Sequence, residues 1–206
     1  VGIPTYEAGQ SLVVTLHSLY SQTSYKQVQE ILVAVDGNRI DKEILKKIQN
    51  PKLRVIYFKK REGQAKRIND LFSLAKSDLL VLTNDDIFVE KRAIENILSS
   101  KKYPFDLMMG NIEGLKPKGL LERIILVGNS INKQIGRSWN GGDNYLSCNG
   151  RLIVLSRALY KSIQIPPQNW NNDAYIYLFA KRNNYKTIFE NSIKAYFKAP
   201  ELLIEH

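Results

Sequence analysis

The sequence predicts an α/β fold, a Rossmann-like and mostly parallel sheet flanked by helices, because two periodicities alternate through its first half. Short apolar, β-branched runs occur at ILVAV (31–35), LRVIYF (53–58) and LLVLT (79–83). Each has the length of a buried strand. Around them, SLVVTLHSLYSQ (11–22), IDKEILKKIQ (40–49) and QAKRINDLFSLAK (64–76) have helical spacing, as in Ile68, Leu71, Phe72 and Ala75. Strands separated by helices imply right-handed crossovers and parallel pairing. VGIPTY (1–6) reads as the end of another strand, and a start at Val1 rather than Met is what a piece of a longer protein would show.

The second half is less regular. KGLLERIILVGNSINKQI (118–135) predicts a helix, DNYLSCNGRLIVLS (143–156) an extended segment, and NDAYIYLFAKRNN (172–184) a helix with Ile176, Phe179 and Ala180 on one face. GRSWNGGDN (136–144) and QIPPQNWNN (164–172) are expected loops, each with one of the two tryptophans. Without a repeat or low-complexity linker, 206 residues at 44% hydrophobic content fit a single domain, 1–206, whose halves share one core.

Composition narrows the chemistry. No run approaches the roughly 20 apolar residues that cross a bilayer. The lone Cys148 excludes an intramolecular disulfide and a cysteine cage, and is expected to be a small buried hydrophobe. His17 sits in a helix and His206 at the end, so neither a histidine triad nor a zinc site can be assembled. Any metal must be held by oxygen. A net charge of +10 favours phosphate-bearing partners, and KKREGQAKR (59–67) concentrates five cations in nine residues.

Ligands on such sheets bind at the carboxyl ends of the strands, where PTYEAG, DGNRID and NDD lie. Neither a G-x-G-x-x-G nor a Walker lysine motif is present, so something else must read phosphates. Asp85 and Asp86 suit a divalent cation bridging a diphosphate, because hard cations take oxygen ligands. They could equally cap a helix beginning near Glu90. Asp173 is open to the same two-way reading, as a general base beside an acceptor hydroxyl or as a helix cap, with Asn171 and Asn172 alternative caps.

Six blocks in order, VGIPTYEAGQSLVVTLHSLYSQ, ILVAVDGNRID, REGQAKRIND, LLVLTNDD, GRLIVLSRALYKSIQIPP and NNDAYIYLFAKRNNYKTIF, resemble the successive blocks of the family 2 glycosyltransferases over nearly the whole chain. The resemblance implies the GT-A fold and inverting transfer of a sugar from a nucleoside diphosphate donor, here expected to be a UDP-sugar. It implies a donor half at 1–110 and an acceptor half at 111–206. Pro4, Thr5, Tyr6, Glu7 and Asp36 match positions lining the donor base and ribose, and Gly63 and Asn69 the segment beneath the nucleotide. Asn84, Asp85 and Asp86 match the D-x-D motif, in which Asp86 would bind Mn²⁺ or Mg²⁺. Asp173 matches the catalytic base, and Gly150 and Arg151 an acceptor-side segment of members with membrane-embedded or lipid-linked acceptors.

Four features depart from the family pattern: Asn84 replaces the first Asp of D-x-D, Gln64 a frequent Lys, Asn172 the Glu before Asp173, and the single Asp36-Gly37 pair shortens a common double-Asp version. Phosphate contact would then fall to Arg61, Lys66 or Arg67. Trp139 and Trp170 are candidates for stacking on sugar rings, or else for the core rim. Expected partners are a nucleotide-diphospho-sugar, a glycan or lipid-linked acceptor and a membrane surface, with no nucleic acid. The expected location is the cytoplasm, at the cytoplasmic face of a membrane where segments beyond residue 206 anchor it. The competing function is a non-catalytic module of the same fold that binds a glycan or an anionic surface.

Overall fold

The computed structural model describes residues 1–6, 9–37, 40–100, 103–168 and 171–200. In chain order these form β1 (Gly2–Thr5), α1 (Gln10–Tyr20), β2 (Ile31–Asp36), α2 (Lys42–Lys47), β3 (Leu53–Phe58), α3 (Gln64–Leu74), β4 (Leu79–Leu82), β5 (Ile87–Val89) and α4 (Ala93–Leu98). Then come β6 (Leu107–Gly114), α5 (Leu120–Ser138), β7 (Ile153–Ser156), α6 (Arg157–Ser162), α7 (Asn172–Arg182) and β8 (Thr187–Phe197). The eight strands make one sheet in the order β3-β2-β1-β4-β7-β6-β8-β5.

The predicted parallel pairing holds for β3-β2-β1-β4, with Gly2 opposite Leu32 and Val33 opposite Val55. Beyond it the sheet is mixed. β7 is antiparallel to both β4 and β6, and β5 is antiparallel to β8. Between β6 and β7, α5 and a series of turns return the chain in the opposite sense, so no parallel crossover arises.

All of β2 is buried, which explains its unbroken apolar run. Alternation sends Val33 and Val35 into a core with Leu12, Leu16 and Leu19 of α1. Leu32 and Ala34 face the opposite core, with Ile68, Leu71 and Phe72 of α3. Burying each large aliphatic or aromatic side chain contributes about 1.5–3 kcal/mol.

Three local expectations give way. The 143–156 stretch is extended only at Ile153–Ser156, because buried Asn144 folds what precedes it into turns. The Asn144 amide donates to the carbonyls of Gly136 (2.6 Å) and Trp139 (2.7 Å) and accepts from the amide of Leu146 (3.1 Å). The expected loop at 136–144 is helical through Ser138. The helix expected near Glu90 begins at Ala93, after β5.

Buried Asn69 ties α3 to the chain ahead of α7. Its amide donates to the Ile165 carbonyl (2.8 Å) and accepts from the Ile165 N–H (2.9 Å). Asn69→Ala strips both groups of their partner and should lower stability by about 2–4 kcal/mol. Urea unfolding at unchanged m-value measures it.

Candidate active site

The carboxyl ends of β1, β2 and β4 converge, as the parallel pairing dictates. Pro4 and Thr5 are buried in β1, and Tyr6 follows at the surface edge, while Glu7 lies outside the described residues. Thr5 donates its hydroxyl hydrogen to the Asp85 carboxylate, fastening β1 to the chain after β4.

Asp36, the last residue of β2, is buried and accepts from the amides of Glu62 (3.0 Å) and Gly63 (2.8 Å). The next residue, Gly37, adopts a φ of +81°, and a Cβ there would lie 2.8 Å from the Arg61 nitrogen. Only glycine admits that approach. The loop so held places the Arg61 guanidinium 3.7 Å from the centre of the Tyr6 ring.

Arg67 is fully buried, pairing with Glu62 at 2.8 Å and with Asp36 and Asp70 at 3.3 Å, and stacking 3.7 Å from the Phe58 ring centre. Lys66 pairs with Asp70. Of the three candidate phosphate contacts, Arg67 thus braces the loop, and exposed Arg61 stands at the mouth of the site.

Asp85 and Asp86 do not cap α4, whose N-cap is Arg92, three residues past β5. Burial, opposed by the Thr5 hydrogen bond and reinforced by Asp86, raises the Asp85 carboxyl above its ordinary range. Asp86 is exposed. Among the described residues, no group of three His, Cys, Asp or Glu side chains could hold a metal. Two adjacent carboxylates, one of them held above its ordinary range in part by its neighbour, are oxygen ligands of the kind a divalent cation takes, and Asp85 and Asp86 would be the residues to hold it.

Asp173 does not cap α7 either. Asn171 does, accepting from the Ala174 amide at 3.0 Å. The Asp173 carboxylate instead accepts from the Gly150 N–H. A Cβ on Gly150 would lie 3.0 Å from Asp173 Cγ, so the carboxylate occupies the space a side chain would need. Burial raises the Asp173 carboxyl, against the lowering effects of the Gly150 hydrogen bond and of Arg151. The Arg151 guanidinium sits 4.3 Å from the Phe197 ring centre, and its carbonyl accepts from Thr83 at the end of β4 (2.7 Å).

A side chain that sequence reasoning gave no role joins the two carboxylate centres. Gln64, the first residue of α3, donates to Asn84 Oδ1 at 3.5 Å and accepts from Asn172 Nδ2 at 3.1 Å. All three are among the positions at which the sequence departs from the pattern it resembles. Their meeting across 108 residues of chain, from Gln64 to Asn172, was invisible to spacing.

Beside this site, Asn111, Asn129, Asn132, Lys133, Arg137, Asn149 and Arg151 line a cavity of about 280 Å³. The Nε atoms of Arg137 and Arg151 are buried with no hydrogen-bond partner among the described residues. Trp139 is half exposed, its ring edge-on to Tyr145 at 5.6 Å, while Trp170 lies outside the described residues. Cys148 is buried, and desolvation, then Asp173, pushes its thiol well above the usual range, so it is no nucleophile.

Residues 1–161 match the family model described as Glycosyl transferase family 2, and the chain belongs to that family. The matched stretch ends before α7, so the place of Asp173 rests on geometry. No curated protein is similar enough in sequence to count as a match. Among solved structures, the chain is similar to the mannosyltransferase PcManGT from Pyrobaculum calidifontis in complex with GDP-Man and Mn²⁺ (TM-score 0.74, 15% identity, 97% of this chain and 56% of that one). It is also similar to S. aureus TarS 1–349 in complex with UDP-GlcNAc (TM-score 0.72, 16% identity, 98% and 58%). A third is GalNAc-T7 with UDP, GalNAc and Mn²⁺ (TM-score 0.70, 16% identity, 100% and 45%). These likenesses establish the GT-A fold, and the chain spans about half the length of those proteins.

The Asp173 environment is directly measurable. Its carboxyl should titrate above the ordinary aspartate value of about 3.9, and Arg151→Gln, by removing a lowering charge, should move it further up. Carbon-13 NMR of the aspartate carboxyls against pH tests both shifts.

Proposed function

We propose that the chain is the catalytic domain of a metal-dependent, inverting glycosyltransferase, moving a sugar from a nucleoside diphosphate sugar to an acceptor hydroxyl on a glycan or a lipid-linked acceptor. UDP is the nucleotide we assign, as in two of the three solved neighbours named above. Residues 1–110 would hold the donor and 111–206 the acceptor. The observation that carries this reading is the Gln64 bridge, which tethers the strand end bearing Asp85 and Asp86 to the helix start bearing Asp173.

In this reading Tyr6 and Arg61 flank the nucleotide base, while Asp36 keeps the 61–63 loop in place beneath it. Asp86, with Asp85 behind it, would hold Mn²⁺ or Mg²⁺. Such a cation, when bound, supplies neutralisation of the departing diphosphate. Asp173 takes the proton of the acceptor hydroxyl as its oxygen bonds to the anomeric carbon. The bond from that carbon to the diphosphate breaks on the opposite face, which inverts the configuration. A buried base with a raised proton affinity suits this task better than a surface carboxylate. The cavity lined by Lys133, Arg137 and Arg151 suits an acceptor that carries an anionic group, because its two buried Nε–H donors want an acceptor atom.

A non-catalytic binding module would need neither a seated base nor a Gly150 cleared for it. Asp173→Asn should therefore reduce transfer by about a hundredfold or more while leaving donor affinity nearly intact. Retained transfer sinks the base assignment. Asp86→Ala should abolish the thermal stabilisation that a nucleotide sugar confers only with Mn²⁺ present. Donor binding indifferent both to the metal and to this change removes the metal from the reading.

A further inference from the structure

The polarity of α5 is reversed. Leu120, Ile124, Val127, Ile131 and Ile135 recur at intervals of three and four residues, which puts them on one stripe of the helix. That stripe faces outward, with exposures from 52% at Ile135 to 75% at Leu120. The other side carries half-buried Lys133 and Arg137, with exposed Asn129 and Asn132 at the rim, lining the cavity beside Arg151, and of the apolar side chains of α5 only Ile125 and Leu126 pack against the core. A surface helix of a globular domain ordinarily has the opposite arrangement, and a contiguous exposed apolar ridge marks an interaction surface.

Charge selects the occupant. From Leu115 to Trp139 there are five cations, Lys116, Lys118, Arg123, Lys133 and Arg137, against one carboxylate, a net of +4. The single acid, Glu122, is buried and turned back onto the amides of Lys118 and Gly119, where it caps the helix. Lys116, Lys118 and Arg123 are exposed beside the stripe. Trp139, Tyr145 and Leu146 add exposed apolar surface at its far end, with aromatic rings of the kind that settle at a lipid headgroup boundary. A second copy on this face would set cations against cations.

We infer that the outer face of α5 docks on an anionic lipid surface, with the helix lying in the plane of the interface. Among the described residues, no helix is long and apolar enough to cross a membrane, so α5 lies on the bilayer and does not span it. The same helix separates the lipid from the cationic cavity, a distance of about one helix diameter, roughly 10 Å. A headgroup-borne acceptor then reaches the neighbourhood of Asp173 without leaving the membrane. That last link rests on the transferase reading, whereas the docking does not.

Flotation with two sets of vesicles tests it, one of phosphatidylglycerol mixed with phosphatidylcholine and one of phosphatidylcholine alone. The 1–206 chain should float with the first and not the second. Ile124→Asp with Ile131→Asp, and separately Lys118→Glu with Arg123→Glu, should each weaken partitioning at least about tenfold. Both pairs should keep the wild-type circular dichroism and any donor-dependent thermal stabilisation. A wild-type chain that stays unbound overturns the proposal, as does equal binding to both vesicle types. A concentration-dependent dimer that the Ile124 and Ile131 changes dissociate, without vesicle binding, also overturns it and gives the face to a second copy. Flotation without donor stabilisation would defeat the transferase reading alone, and donor stabilisation without flotation would defeat only the docking.

Discussion

A buried guanidinium sets the geometry on which the rest of this site depends. Arg67 has no access to solvent and is held by Glu62, Asp36 and Asp70, with Phe58 against its face. Charge taken out of water is tolerated only where its partners are in place, and losing one such partner typically costs about 3–5 kcal/mol. The loop at 61–63, the end of β2 and the first turns of α3 therefore move as one body. Arg61, Gly63 and Gln64 inherit their positions from that constraint.

The second half meets this body through few but well-placed contacts. Thr83 holds the Arg151 carbonyl, Asn69 holds Ile165, and Gln64 reaches Asn172. Around them Asp143 receives Lys181 at 2.7 Å, and its carbonyl receives the Tyr177 hydroxyl at 2.9 Å, pinning α7 to the turns after α5. Those turns support the 149–151 segment, so the seat of Asp173 depends on polar groups far from it in sequence. The wall formed by α5 is less embedded, with few apolar side chains turned to the core.

How much of this was legible in the sequence follows from where the determinants lie. Strands β2 and β4 were readable because both faces of the sheet are covered there, which leaves an apolar run, and the half-buried edge strand β3 because its LRVIYF is rich in β-branched and aromatic residues. β6 and β8 were not, since LMMGNIEG and TIFENSIKAYF mix glycine, methionine and polar residues around a register shift at Gly110/Asn111, where Asn111 bonds Asn191 at 3.0 Å. Asp85, Asp86 and Asp173 lie at element junctions, where the sequence placed them, but spacing could not tell whether they cap the helices that follow. The caps proved to be Arg92 and Asn171. Arg67 stood among candidates for phosphate because its inward pairing comes from tertiary packing. The reversed face of α5 could be seen in its periodicity, yet only the fold shows which side is outside.

The Asn84–Gln64–Asn172 chain bears on how the site behaves outside a single buffer. Ion pairs spanning an exposed cleft weaken as salt rises and break when either partner titrates. Carboxamides carry no charge and do not change protonation across the physiological range. The link between the two carboxylate centres thus carries no charge of its own, and the response of the cleft to salt falls to its charged side chains, Arg61 and Arg151 as well as the carboxylates.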